Sequence, residues 1–338
     1  MLKVTDQRLE TGTQWVKSRL GDDCQVFPLA GDASFRRYFR VVQDDQSYVL
    51  MDAPPEKEDV GPFLAVREWL SSARVRVPEL IYEDQVLGFL LLQDFGDLTW
   101  AVHIATTSTS EGALLNLFDD ARQQLSSLQC SKPSMTLPCF DVARMQRECD
   151  LYLDWYLPNV TNYQPSASDR DVFHASMLPL LQQLDELPKY PVHLDYHSRN
   201  LMLPEGRLPL GVIDFQDAVM GPVTYDLASL LYDCYQNYPE DLRRQQSKLF
   251  FDQLASHIQS RFDGFEGWHH ALRLTAMQRH IKAIGIFARL AYRDGKVQFL
   301  DEIPLTRIHL LDEMAALGID TSEFSMLHIE PHQSHHLV

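Results

Sequence analysis

Long apolar runs are missing from this chain. No stretch of its 338 residues approaches the roughly 18 apolar residues in a row that a membrane-spanning helix needs. The segment from Met1 to Leu20 is polar and mixed in charge, without the apolar stretch and small-residue cleavage site of a secretory signal. The protein therefore reads as cytoplasmic. Cysteine is sparse: five residues, scattered, odd in number and never spaced Cys-x-x-Cys. Neither a disulfide framework nor a zinc site is indicated. An excess of positive charge is also lacking, with 30 Lys and Arg against 47 Asp and Glu, a net charge of −17. A nucleic-acid or anionic-membrane surface would need a basic patch, so neither partner is expected, and no protein partner is implied. The acidic balance reads first as solubility, although it would also steer a cationic substrate.

What is present is a constellation of carboxylates and one amide. His193-Leu194-Asp195-Tyr196-His197-Ser198-Arg199-Asn200 is followed by Val212-Ile213-Asp214-Phe215. Asp195 and Asn200 are five apart, and Asp214 ends a short apolar stretch. The protein-kinase signature has the same Asp-to-Asn step and a later metal-binding Asp. The chemistry assigns separate roles. Asp195 would accept the proton of the attacking hydroxyl, while Asn200 and Asp214 would hold Mg2+ against the phosphates of ATP. His193 would support the loop by hydrogen bonding. His197 and Arg199 sit inside the loop, where they could face substrate or phosphate.

The rest of the chain divides around this motif. Residues 1–20 have the spacing of an amphipathic helix. Strands at 34–42 and 47–51 flank a polar turn and predict a hairpin, a helix is expected over 59–72, and 81–82 with 86–92 suggest another antiparallel pair. After Asp97 the pattern is mostly helical, with helices expected over 111–128, 141–157 and 172–187, a polar stretch without periodicity at 159–168, and helices again over 225–317. The expectation is an α+β, two-lobed, protein-kinase-like fold: a small β-rich lobe over 1–93, a hinge at 94–97, a larger helical lobe over 98–325, and a disordered tail at 326–338. The tail histidines, His328, His332, His335 and His336, have no defined ligand spacing.

The motif set resembles the aminoglycoside phosphotransferase-like kinases. Their pattern reads His-x-Asp-x-x-x-x-Asn, then Ile-Asp-Phe/Trp, then Gly-x-x-x-x-Asp-Leu-Ala. This sequence supplies His193, Asp195 and Asn200, then Ile213-Asp214-Phe215, then Gly221 with Asp226-Leu227-Ala228. The Ala-Pro-Glu activation segment of protein kinases is absent. The likeness is most specific over 191–230 and extends over about 25–310. Asp226 would cap the following helix and brace the catalytic loop. A narrower likeness is to the amino-sugar branch, which phosphorylates the C1 hydroxyl of N-acetylmuramate and N-acetylglucosamine in cell-wall recycling. It rests on Gly31-Asp32-Ala33-Ser34-Phe35-Arg36-Arg37-Tyr38, Met51-Asp52-Ala53-Pro54-Pro55-Glu56, Asp214-Phe215-Gln216-Asp217-Ala218 and Arg279-His280-Ile281-Lys282 with Gly285-Ile286-Phe287-Ala288-Arg289. The resemblance implies an ATP- and Mg2+-dependent kinase for a small sugar. Other family substrates (aminoglycosides, choline-like amino alcohols, homoserine) and a non-catalytic nucleotide-binding protein are the alternatives.

The departures concern the nucleotide. The aligned stretch Tyr48-Val49-Leu50-Met51 places Met51 where a kinase has its phosphate-binding Lys, and Met cannot supply that charge. An Arg from 36–40 is the expected substitute, with Arg37 and Arg40 as candidates on opposite strand faces. Gly31 and Ser34 mark a short phosphate turn in place of Gly-x-Gly-x-x-Gly. Gln93 and Phe95 would meet the adenine at the hinge. For the sugar, Arg279, His280 and Lys282 are the candidates, with Arg279 and Lys282 three apart on one helix face and suited to a carboxylated ligand. Trp155, Tyr156, Trp268, His269, His270 and Arg289 are further possible partners.

Overall fold

The structure, a computed structural model, describes residues 6–29, 35–107, 109–319 and 322–332. The first helix, α1 (Gln7–Leu20), is capped by the Asp6 side chain, which accepts from the Leu9 N–H at 3.0 Å. Five antiparallel strands follow: β1 (Gln25–Pro28), β2 (Arg37–Gln43), β3 (Gln46–Asp52), β4 (Leu80–Asp84) and β5 (Phe89–Gln93), in the order β1-β2-β3-β5-β4. The β2–β3 hairpin turns at Asp44, whose φ of 50° lies in the left-handed region that Asp tolerates. Helix α2 (Gly61–Ser72) starts at a proline and buries Phe63, Val66, Trp69 and Leu70.

The sheet is apolar on both faces, so β5 reads as a continuous Phe-Leu-Leu-Leu run. Phe39, Val41, Leu50, Phe89 and Leu91 pack under Trp15 and Val16 of α1. Met51, Leu90 and Leu92 face the other way. They join a core that runs through α2 into the larger lobe, to Tyr196, Val212 and Phe215. The rings of Phe63 and Phe215 lie 5.0 Å apart across the two lobes. The segment 94–97 links β5 to the helical lobe.

That lobe holds α3 (Trp100–Thr106), α4 (Glu111–Cys130), α5 (Val142–Leu151), a π-helix (Tyr152–Thr161) and α6 (Ala167–Asp185). Four short strands carry the motif: β6 (Lys189–Val192), β7 (Leu201–Met202), β8 (Gly211–Val212) and β9 (Val219–Pro222), with β6 paired to β9 and β7 to β8. Helices α7 (Tyr225–Leu231), α8 (Glu240–Gln253), α9 (Ser256–Gln259), α10 (Gly264–Tyr292) and α11 (Ile303–Leu317) complete it. The 29-residue α10 is buried around most of its circumference and forms the axis of the lobe. Among the described residues no helix is long and apolar enough to cross a membrane.

Three expectations change. The single helix expected over 141–157 is two elements: α5 ends at Leu151 and a π-helix continues to Thr161. Gly285 of α10 presses on that junction, where an added Cβ would stand 2.4 Å from the Leu151 carbonyl carbon. Pro158 lies inside the wider turn, and π-turns inside helices are a common response to such local constraint. Helix α6 starts at Ala167, earlier than 172, because Ser166 and Asp169 form a reciprocal capping box. The tail is not loose over 326–332. Met326 and Leu327 are buried, Arg307 donates to the Ile329 carbonyl at 3.0 Å, and the His332 N–H bonds the Val160 carbonyl at 3.0 Å. His335 and His336 lie outside the described residues.

Candidate active site

Two loops converge: 193–200 between β6 and β7, and 213–218 between β8 and β9. Asp226, at the start of α7, accepts from the His193 N–H at 2.7 Å and the Leu194 N–H at 3.0 Å. The carboxylate is spent on the loop, and α7 has no side-chain cap, so the capping role expected of Asp226 is not what it does. Burial pushes its pKa up to about 7, against the pull of the two N–H donors. Leu194 is held at φ 78° and Asp214 at φ 63°. Such conformations cost about 1–3 kcal/mol each and persist only where neighbours enforce them. His193 is the brace between the loops. Its Nε2 faces the Ile213 carbonyl at 3.1 Å, so it must donate, and its Nδ1 accepts from the Asp195 N–H at 3.3 Å. That tautomer is neutral, in keeping with burial, which depresses its pKa to about 4.

The Asn200 amide nitrogen donates to the Asp195 carbonyl at 2.9 Å and lies 3.4 Å from Asp214 Oδ2. One side chain thereby ties the three motif positions together. With Nδ2 so engaged, Oδ1 is the atom Asn200 can offer a cation. It joins the Asp214 carboxylate as a pair of hard oxygen donors, the kind Mg2+ takes from protein before filling its shell with phosphate and water. Gln216 steadies Asp214 with a 2.8 Å bond to Oδ1.

Asn200 and Asp214 open onto a cavity of about 370 Å³ between the lobes. Its roof comes from the sheet: Tyr38 and Arg40 on β2, Val49 on β3, and Leu92 and Gln93 on β5. Phe95 of the linking segment also lines it, against Gly211, where an added Cβ would fall 2.4 Å from the ring. The two candidate arginines part as strand alternation requires. Arg40 lines the cavity and pairs with Asp94 at 2.6 Å and Asp97 at 2.8 Å. The bonds to Asp97 and Asp94 hold its guanidinium firmly charged. Arg37 turns to the opposite face, where it pairs with Asp6 and, at 2.6 Å, with Asp52. It is not among the cavity residues, so its expected place against the nucleotide is corrected. Arg36 approaches Glu58 at 3.4 Å. Met51 is fully buried in the inter-lobe core, so the strand position that would carry a Lys is packing here. Gly31 and Ser34 lie outside the described residues.

A second group surrounds Asp195 from α10. Burial alone would raise the Asp195 carboxyl. The positive charge of Lys282, and more weakly of Arg279, outweighs it and keeps the pKa below the ordinary carboxylate value. Lys282 lies 3.5 Å from Glu148 of α5 and 3.5 Å from the Tyr225 hydroxyl. Arg279 lies over the Tyr225 ring at 5.4 Å. None of these is among the residues lining the nucleotide cavity. His197 is buried edge-on to Tyr235 at 5.2 Å, and burial lowers its pKa. Arg199 stacks on the other side of that hub, 3.6 Å from the Tyr235 ring, and pairs with Glu302.

His280 does not join this group. Its Nδ1 bonds Glu313 at 2.6 Å and its Nε2 the Tyr232 carbonyl at 2.8 Å, wholly inside the α10–α11 packing. With both ring nitrogens facing acceptors it is an imidazolium, and its pKa is lifted to about 10 by Glu313 despite burial. The helical step of 100° per residue separates it from Arg279 and Lys282. Tyr156 and Trp268 are also core residues, both fully buried. Sequence reasoning missed Tyr225, Glu148, Tyr235 and Asp233. Tyr225 stands beside Asp226 in the motif, which was a usable signal. Glu148 is too far along the chain from Lys282 for any local pattern to pair them. Asp233 accepts from the Ser198 N–H at 2.8 Å, a second brace on the loop.

Comparison with known proteins gives the family and the fold. The phosphotransferase enzyme family matches residues 26–257. The N-acetylmuramate/N-acetylglucosamine kinase of Pseudomonas aeruginosa is 36% identical over 300 residues, covering 87% of each chain. The enzyme of the same name from Neisseria meningitidis is 37% identical over 279 residues, covering 81% of each. Among solved structures, aminoglycoside phosphotransferase APH(4)-Ia superposes with a TM-score of 0.59 at 15% identity, over 92% of this chain and 99% of that one. A choline/ethanolamine kinase family protein from Mesorhizobium loti reaches 0.58 at 15% identity, over 95% and 98%. At such identities the structures speak for the fold alone: two lobes of the protein-kinase kind. This chain belongs to the phosphotransferase enzyme family.

Proposed function

We propose that this chain is an ATP- and Mg2+-dependent kinase that phosphorylates the anomeric hydroxyl of N-acetylmuramate and N-acetylglucosamine, giving the sugar 1-phosphate in cell-wall recycling. The observation that carries the reading is the Asn200 amide, which bridges Asp195 and Asp214 at the mouth of the nucleotide cavity. Curated relatives of that name, at 36% and 37% identity, support the acceptor. Asp195 stays ionised and takes the C1 hydroxyl proton. The C1 oxygen then bonds the γ-phosphorus as the bond to the ADP oxygen breaks. Asp214 and Asn200 are the Mg2+ ligands; the ion, when bound, would neutralise the phosphate oxygens. Tyr38, Val49 and Leu92 shelter the adenine end, and Gln93 to Gly96 offer backbone groups there.

The net negative charge of the chain would suit a cationic acceptor. The local field does not, because Lys282 and Arg279 stand beside Asp195 and would repel an aminoglycoside or a choline. The test is ADP release with Mg-ATP and a panel of N-acetylmuramate, N-acetylglucosamine, glucose, kanamycin, choline and homoserine. Turnover confined to the N-acetyl sugars, with phosphorus NMR showing a 1-phosphate, is the expected result. Turnover of a cationic acceptor alone would overturn the reading.

A further inference from the structure

Arg279 is a buried cation of the larger lobe. The residue is only 7% exposed, and its Nε and Nη1 are buried without a hydrogen-bond partner. A buried full charge with unmet donors is costly, and native folds retain one where a ligand completes it. The carboxylates nearby are already engaged. Asp233 accepts from the N–H groups of Ser198 and Tyr235. Glu148 sits 3.5 Å from Lys282 and 3.5 Å from Arg144. Lys282 is thus partnered within the protein, whereas Arg279 is held mainly by its stack on the Tyr225 ring. A guanidinium stacked by its face has its edge N–H groups left as the donors that a planar anion would take. Tyr225 is next to Asp226, whose carboxylate holds the His193 and Leu194 N–H groups just before Asp195, so the stack sets this unmet charge on the Asp195 side of the site.

We propose that Arg279 is the carboxylate contact of the acceptor subsite, binding the lactyl carboxylate that N-acetylmuramate carries and N-acetylglucosamine lacks. This rests on the sugar-kinase reading above. An anionic group is the partner the buried guanidinium lacks, and the lactyl carboxylate is the one anion that distinguishes the two sugars. The neighbouring Lys282, tied to Glu148 and Tyr225, keeps the Asp195 field and does not share the task. Arg279 therefore sets which sugar is preferred, while Asp195 serves both.

The experiment compares kcat/KM for the two sugars in wild type, Arg279→Gln and Arg279→Lys. In Arg279→Gln the ratio of N-acetylmuramate to N-acetylglucosamine should fall about 10- to 100-fold, the worth of one charge-assisted hydrogen bond, chiefly through KM. Arg279→Lys should restore part of it. An equal fall on both sugars would assign Arg279 to the transferred phosphate and overturn the proposal, as would an unchanged ratio. Wild-type enzyme offers a check that needs no mutant to fold: the carboxamide of N-acetylmuramate should be a poorer substrate than the acid by a similar factor. Equal turnover of acid and carboxamide would also overturn it. If wild type phosphorylates neither sugar but turns over another acceptor, the sugar-kinase reading itself has failed, a result distinct from an unchanged ratio.

Discussion

Arg40 and Arg279, one in each lobe, are handled in opposite ways. Arg40 lines the nucleotide cavity with its charge already answered by Asp94 and Asp97. Arg279 is stacked on the Tyr225 ring with two buried donors unanswered. The nucleotide side is charge-balanced within the protein, so binding there rests on apolar walls, backbone groups and the Asn200–Asp214 pair. The acceptor side holds positive charge in reserve against Asp195. The Lys missing at Met51 is therefore not replaced by a free cation among the described residues lining the cavity, while Lys282 and Arg279 share one face of α10 in the larger lobe. The lesson is that where a motif lacks a charge, the pairing of the remaining charges has to be read in space, across elements.

The largest effect that would sharpen this comparison is at the metal pair. Asp214→Ala should abolish Mg2+-dependent ATP binding by calorimetry. Retained binding would mean the nucleotide side depends on other groups. Next, Asp195→Asn keeps shape but cannot take a proton, so kcat should fall by roughly 10²–10⁴ with ADP affinity nearly unchanged. Equal turnover would remove the base from the scheme.

Lys282→Met tests the reserve of charge by pH. Lys282 lowers the Asp195 pKa, and removing a nearby cation disfavours the carboxylate, so that pKa must rise. The acid limb of kcat/KM should move to higher pH, with the alkaline side little changed. An unmoved limb would show that Lys282 does not face Asp195. The smallest effects separate the two strand arginines. Arg40→Ala should raise the KM for ATP roughly 10-fold, because it leaves the Asp94 and Asp97 carboxylates unanswered in the cavity wall against an anionic nucleotide. Arg37→Ala should leave that KM within about twofold and lower the melting temperature by a few degrees, because buried Asp52 keeps Arg8 as a partner at 2.7 Å. The reverse pattern would put the wrong arginine in the cavity.

Much of the scaffold was legible. The alternation over 34–51 anticipated the β2–β3 hairpin, and the spacing over 59–72 anticipated α2. In both, one buried face imposes its period on the sequence. The motif gave Asp195, Asn200 and Asp214 together because they belong to two short loops whose geometry is set locally. The misplaced elements depend on distant partners. The π-turn after Leu151 answers to Gly285, more than a hundred residues away. The tail over 326–332 is packed because Tyr152, Tyr156 and Arg307 receive it. His280 was grouped with Arg279 by adjacency in sequence, though adjacent helical residues point in different directions.

The sequence by itself determined the family, the two-lobed plan and the motif of Asp195, Asn200 and Asp214 to which the proposed proton and metal roles are assigned, because these follow from local spacing and strand or helix period. Only the tertiary structure decided that Arg40 and not Arg37 meets the cavity, that Lys282 is paired with Glu148 and Tyr225, and that Arg279 is left with donors to spare. Those outcomes depend on which side chains the packing of α10 against α5 and α7 brings within a few ångströms. Charge acts through space at that range, whatever the separation along the chain.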